Sequence, residues 1–446
     1  MSSANTPKHQ LTIKDREISE LRSPLGQTTR KPRAKKRNHL KANLCTFGCV
    51  LPILLDTKSR VIHGWEVLQA ARELGWLTLP TIEISLLAEA QLRALRIALN
   101  KLQEGSEWDT EALKLEFSEI IAMDIDFDLM LTGFETPEID IIFSDPTPEL
   151  DDSRVPSLDR SAPAIAEHRD VFQCGQHQII CGDARNASIY AELLGSDRVR
   201  LTITDPPYNV QVKGNVSGKG QHQHREFVMA SGEMSPQEFE FFLTEFMHLV
   251  HQHALPGALC FIFMDWRHLQ SLLSVGGSVF DELLNLCVWS KTNAGMGSLY
   301  RSQHEMVALF KSGSESHINN VQLGEFGRNR TNVWSYPGMS SFGGEREEAL
   351  AMHPTVKPLQ MVADAILDVT HRGDLVLDPF LGSGTTLIAC EDTHRTCRGI
   401  ELDPHYVDVA IRRWQQHTGK SAVHIESGLT FNELAKHRTE EVDHVG

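Results

Sequence analysis

The chain has 446 residues and carries 59 Asp and Glu against 43 Lys and Arg, a formal net charge of −16. That length accommodates two or three domains with a substantial core. The acidic balance excludes a protein that coats nucleic acid by bulk electrostatics, so any contact with DNA has to come from local basic patches. The eight cysteines form no Cys-x-x-Cys pair, which speaks against a zinc ribbon or a redox dithiol and fits a reducing cytosol. The longest apolar stretch, Leu44 to Leu55, is too short to cross a bilayer and contains Gly48 and Pro52, so no membrane span or signal peptide is expected.

Residues 1–42 are polar and close on a basic run that includes Lys35, Lys36 and Arg37. Their low apolar content predicts a disordered arm. Two readings stay open for it, a solvated tail and a contact with the DNA backbone. A small α+β domain is expected over 43–143. Leu51 to Asp56 reads as a strand, and a helix follows with Val67, Leu68, Ala70, Ala71 and Leu74 on one face, ended by Gly75. Leu79 to Ile84 is a second strand, with helices from Glu89 to Leu102 and from Thr110 to Ala122. Proline and acidic residues then predict a linker over 144–168.

The remainder, 169–420, reads as an α/β domain. Short strands at Val171-Phe172 and Gln178 to Cys181 reach Gly182-Asp183. The apolar run Leu201 to Thr204 ends at Asp205-Pro206-Pro207-Tyr208, placing a carboxylate, two prolines and a phenol at a strand's carboxyl end, where open α/β sheets bind ligands. The prolines stiffen the loop. An amino group held there meets two acceptors, the Asp205 carboxylate and the Pro206 carbonyl, and Tyr208 offers a face on which a base can stack. Residues 211–234 form a polar loop containing His222 and His224, which lack carboxylate partners, so no metal is expected. Strands follow at Ala258 to Met264, Leu283 to Trp289 and Glu305 to Phe310. The stretch 295–352 sets Arg301, Lys311, Arg328, Arg330 and Arg346 among glycines and aromatics, a composition suited to guanine edges and phosphates; a plain surface loop is the competing reading for each.

Leu375 to Leu377 is a buried strand leading into Asp378-Pro379-Phe380-Leu381-Gly382-Ser383-Gly384 and a helix start. Strand, glycine turn and helix form the pattern of a nucleotide-type cofactor loop, and Glu401, ending the next strand, is placed to accept ribose hydroxyls. The glycine turn alone is a weak signal, since packing also selects glycine. Residues 421–446 are left as a C-terminal tail.

From Asp170 to about Gly419 the sequence resembles the amino-group DNA methyltransferases that use S-adenosylmethionine. The tetrapeptide at 205–208 precedes the glycine loop, which is the order of that family's β class. Trp289-Ser290-Lys291-Thr292-Asn293 and His353-Pro354-Thr355-Val356-Lys357-Pro358 look like it too. The resemblance implies a Rossmann-like sheet, S-adenosylmethionine as cofactor, and catalytic roles for Asp205, Pro206, Pro207 and Tyr208. It implies cofactor contacts from Asp183, Thr355, Lys357, Asp378, Phe380, Gly382, Ser383, Gly384 and Glu401, although Asp183 by physics alone serves equally as a helix N-cap. Double-stranded DNA is the implied substrate, flipped base first, with a homodimer and a cognate restriction endonuclease as further partners and a cytoplasmic, nucleoid-associated location. Asp at the first tetrapeptide position favours adenine N6; cytosine N4 stays open, as do RNA or protein amines.

The N-terminal segment resembles a degenerate ParB-like nuclease domain. Gly64-Trp65-Glu66-Val67 stands where that family has an arginine to clamp phosphate, which makes a structural or docking role the expectation. A DNA-binding or regulatory protein in which methylation is secondary is the alternative from another class. Two chemistries find no support. There is no Pro-Cys pair for attack at cytosine carbon, and Gly214 to Gly220 has the wrong spacing for a P-loop.

Overall fold

The computed structural model of the chain describes residues 11–24, 34–101, 108–123, 127–143, 156, 163–209, 233–292, 299–321, 330–337 and 357–445. They fall into two compact units, 1–143 and 144–446.

In the first unit, β1 (Ile13–Glu17), β2 (Ile53–Asp56), β3 (Val61–His63) and β4 (Thr78–Ile84) form one sheet in the order β1-β4-β2-β3. Its helices are α1 (Ala34–Phe47), α2 (Trp65–Glu73), α3 (Glu89–Lys101), α4 (Thr110–Met123) and α5 (Thr136–Phe143). The apolar stripe read on α2 buries Leu68, Ala70 and Ala71 against Ile53, Leu55 and Leu79 of the sheet and Leu44 of α1. Gly64 opens α2 at φ +92°, where a Cβ would sit 3.2 Å from Ile53 Cγ1, so the turn needs glycine both for its backbone and for its packing.

The expected disordered arm is overturned over its described part. β1 pairs along β4 from Ile13↔Ile82 to Glu17↔Thr78, and the residues after it bury Ile18 and Leu21. From Ala34 onward the basic run forms the start of α1. Arg37 pairs with Glu66 at 3.0 Å and Glu73 at 3.1 Å, and Lys41 with Glu73 at 2.9 Å, so the acidic face of α2 supplies partners that a composition-based reading could not see.

The second unit is built on ten strands: β5 (Val171–Cys174), β6 (His177–Cys181), β7 (Val199–Thr204), β8 (Ala254–Met264), β9 (Glu282–Ser290), β10 (His304–Lys311), β11 (Val333–Ser335), β12 (Leu375–Asp378), β13 (Thr396–Glu401) and β14 (Val423–His424). Their order is β11-β9-β10-β8-β7-β12-β13-β6-β5-β14. The centre, β8-β7-β12-β13-β6, is parallel, and antiparallel strands extend both sides. The helices are α6 (Ala187–Leu194), α7 (Pro236–His253), α8 (Leu269–Val279), α9 (Leu359–Val369), α10 (Thr385–Thr393), α11 (Pro404–Thr418) and α12 (Phe431–Val445). Two apolar clusters share this unit. One includes Leu201, Val376, Ile366, Leu387 and Trp414; the other includes Ile180, Phe242, Phe246, Ile262 and Leu377. The central strands contribute to both because parallel strands are buried on both faces. The start of α7 is written in the sequence: Ser235 caps it, Glu238 returns the bond, and Pro236 occupies the first turn.

The C-terminal tail is corrected as well. Phe431 and Leu434 of α12 are buried in the core, and Arg438 and His424 both engage the Asp170 carboxylate, fastening the chain's end to the first residues of the domain. Among the described residues no helix is long and apolar enough to cross a membrane.

Candidate active site

Asp205 and Asp378 are far apart in sequence and adjacent in the sheet. β12 lies parallel to β7 in the register Val376↔Leu201 and Leu377↔Thr202, so both strands present their carboxyl ends to the same edge. β7 is followed by β8 on one side and β12 by β13 on the other. Their boundary is therefore a topological switch point, where an open α/β sheet leaves a crevice. Asp378 ties the two loops together. It accepts from Thr204 Oγ1 at 2.9 Å, Phe380 N at 3.1 Å and Thr386 Oγ1 at 2.6 Å. Burial pushes its carboxyl up to about 6 against those three donors.

The tetrapeptide sits in a cluster of charged groups. Asp205 is engaged by the Lys357 ammonium and by the Tyr208 hydroxyl. Glu305, from β10, lies 3.2 Å from Tyr208 Oη and 3.2 Å from Lys357 Nζ, and it also receives Lys291 from the end of β9. Two carboxylates thus face two ammonium groups, which makes the buried set neutral. Lys357 lies over the rings of Phe263, Tyr208 and Trp289 at 5.2–5.8 Å, and Lys291 lies over Trp289 at 4.5 Å. Burial raises the Asp205 carboxyl above its ordinary range despite the pull of Lys357, with the negative charge of Glu305 adding to the rise. Glu305 is held low: its burial is outweighed by Lys357 and Lys291. Burial, then Asp205 and Glu305, pushes the Tyr208 phenol well above its normal range, so it stays a donor. Asn209, at φ +54°, closes the loop by exchanging two hydrogen bonds with the Met234 backbone at 2.8 and 3.1 Å. Its left-handed conformation is one that asparagine tolerates better than most residues.

On the glycine loop the two glycines differ. Gly382 has φ +55° and nothing within 4 Å of a Cβ position, so its side faces open space. Gly384, at φ +82°, backs onto α11, where a Cβ would lie 3.0 Å from Ala410 Cβ and 3.2 Å from its Cα. One glycine leaves room beside the loop and the other serves packing. Glu401 accepts from Gly382 N at 2.8 Å and from Asp403 N at 2.9 Å, and burial raises it to about 7, with Asp403 and Asp378 nearby. Phe380 anchors the loop by packing on Phe246 and Phe242, at 5.0 and 5.8 Å between ring centroids, and the Ser383 carbonyl accepts from Arg413.

The remaining expected site residues divide. Asp183 is taken up by Arg185, accepting from its backbone N at 2.9 Å and its guanidinium at 2.7 Å, while Asn186 caps α6. Lys357, expected beside the cofactor loop, stands on Asp205. Arg330 is not presented to solvent as the glycine-rich context suggests; it donates to Tyr336 Oη at 2.7 Å and pairs with Asp364 at 3.2 Å and Asp368 at 2.6 Å, both on α9. Arg301 is exposed. Thr355, Arg328 and Arg346 lie outside the described residues, as does the loop holding His222 and His224, and the side chains of Lys35 and Lys36 are also outside them. Sequence reasoning missed Glu305, read only as core strand, and gave Lys291 no role. Among the described residues no three His, Cys, Asp or Glu are placed to hold a metal ion.

The family model for N6/N4-type DNA methylase matches residues 199–412, and one for the ParB-methyltransferase helix-turn-helix domain matches residues 111–167. Residues 199–412 are thus similar to DNA methylases of the N6/N4 type, and residues 111–167 to the helix-turn-helix domain of ParB-methyltransferases. It is 24% identical over 254 residues to the type II methyltransferase M.HpaI of Haemophilus parainfluenzae, covering 53% of this chain and 73% of that protein. It is 36% identical over 163 residues to the type II methyltransferase M.Cfr9I of Citrobacter freundii, covering 34% of this chain and 50% of that protein, so the chain spans only half of that relative. The solved M1.HpyAVI–SAM complex matches with a TM-score of 0.38 at 21% identity, over 53% of this chain and 98% of that one.

Proposed function

We propose that the protein methylates an exocyclic amino group of a base in double-stranded DNA, adenine N6 in preference to cytosine N4, using S-adenosylmethionine. The observation that carries this is the meeting of Asp205 and Tyr208 with the glycine loop at one switch point, within a domain of the N6/N4 methylase type. The loop fits such a cofactor: Gly382 leaves open space, and Glu401 at the next strand end has a carboxyl raised by burial, which hydroxyl donors would relieve. Gly382, Ser383 and Glu401 would hold it. S-adenosylmethionine, when bound, supplies an electrophilic methyl group. Asp205 accepts a hydrogen from the target amine, orients its lone pair and takes the proton it sheds. Tyr208 stacks on the flipped base in place of the lost neighbours. Asp378 holds the two loops in register, so positioning supplies most of the rate.

Sequencing that reads modified bases, applied to DNA from cells expressing the wild-type chain and the Asp205→Ala variant, tests the reading. The expected result is N6-methyladenine in one sequence context with the wild type and none with the variant. N4-methylcytosine would replace adenine as the target, and unmodified DNA in both would sink the proposal.

A further inference from the structure

Lys357 places a protonated amine against the carboxylate that the mechanism reserves for the amine of the target base, and Glu305 stands 3.2 Å from the same Nζ. We infer that Lys357 holds the target's place beside Asp205 and moves to Glu305 when a base enters, which makes Lys357 and Glu305 positioning residues for methyl transfer. The inference rests on the amine-methylation reading above and deepens it.

Three observations carry it. Lys357 touches both carboxylates already, so the transfer needs a small displacement of a flexible side chain and no rearrangement of the backbone. Glu305 has a second cation of its own in Lys291, so it remains paired whichever carboxylate Lys357 favours. The side chain of Lys357 is only 9% exposed and lies over Phe263, Tyr208 and Trp289, where an unpaired ammonium would be costly; a second acceptor within reach removes that cost. The two carboxylates stay matched by two ammonium groups whichever of them Lys357 favours. The charged and titratable groups that face Lys357 are Asp205 and Tyr208 after β7, Glu305 on β10, Lys291 after β9 and, beyond Asp205, Asp378 at the end of β12.

The test compares Glu305→Gln, Lys357→Met and the double variant on unmodified DNA, with cofactor affinity and thermal unfolding measured alongside. In Glu305→Gln the ammonium has lost its alternative and holds Asp205 more firmly, so turnover should fall roughly tenfold or more while S-adenosylmethionine affinity changes little. Adding Lys357→Met removes the competitor, so the double variant should turn over several times faster than Glu305→Gln alone. A double variant as slow as the single one, or slower, would show that the pair only supports the fold and would overturn the inference. Should Glu305→Gln fail to fold, Lys357→Met decides by its pH profile. Without the ammonium Asp205 ionises at higher pH, so the acid limb of kcat should move upward with activity kept on the alkaline side, and an unmoved limb refutes the idea. A wild-type chain that methylates no DNA would instead defeat the underlying reading, a result distinct from all of these.

Discussion

Replacing Tyr208 by Phe and by Ala separates what its hydroxyl does from what its ring does. The hydroxyl donates to Asp205 and lies 3.2 Å from Glu305, so it carries one proton to a pair of carboxylates that Lys357 also serves. A hydrogen bond to a charged group contributes about 1.5–3 kcal/mol, and because Lys357 remains to hold Asp205 the lower end applies, which is about tenfold in rate. Tyr208→Phe should therefore lose about an order of magnitude in kcat with little change in the KM for DNA. Tyr208→Ala also loses the stacking face, worth roughly 1–3 kcal/mol per base, and should fall at least about another five- to tenfold. Methyl transfer from labelled S-adenosylmethionine to unmodified DNA under saturating conditions measures both. Full wild-type turnover in Tyr208→Phe would refute the claim that the phenol positions Asp205. Equal damage from Phe and Ala would remove the ring from the mechanism.

Burial raises Glu401 to about 7, and hydroxyl donors favour its ionised form, so S-adenosylmethionine binding should release protons and strengthen as pH rises through 7, then level off. Calorimetry in two buffers of different ionisation enthalpy reads this directly, and pH-independent affinity between 6 and about 8 would argue against a carboxylate contact. Gly384→Ala should destabilise the second unit by about 1–3 kcal/mol through its contact with Ala410 and its left-handed backbone, while cofactor affinity per folded molecule changes little; thermal unfolding and titration together separate the two effects. Arg37→Ala should leave DNA affinity and its salt dependence nearly unchanged, because the guanidinium is matched by Glu66 and Glu73; a loss of about one unit in the salt slope would restore the backbone-contact reading.

What the sequence revealed is what local chemistry determines. Strands at 201–204 and 375–377 are legible because buried parallel strands are continuous apolar runs, and the loops after them because proline and glycine punctuate the chain locally. The adjacency of those loops is set by the register of β12 on β7, which no local pattern encodes. Lys357, Glu305 and Lys291 come from three separated segments, and their roles depend on tertiary distances. The surroundings of Arg330 are illegible for a related reason: glycine and aromatic neighbours suggest an open recognition loop, yet Asp364 and Asp368, one helical turn apart on α9, meet it from a different element. The two terminal corrections share a cause, since Ile18, Leu21, Phe431 and Leu434 are sparse apolar residues in polar segments that become structural only when a sheet edge or a core is there to receive them.

These pairings bear on how an acidic chain approaches a polyanion. A count of Lys and Arg treats every cation as available to phosphate, but Arg37, Lys41, Arg330, Lys357 and Lys291 each face one or two carboxylates within the fold. Engaged in this way they contribute little to long-range attraction, and their release would leave buried or partly buried carboxylates unpaired. The charged set around Asp205 turns that constraint to use. On the reading proposed above, a largely buried ammonium group beside Asp205 would both compensate the fold's negative charge and hold the site for a substrate whose reacting group resembles it.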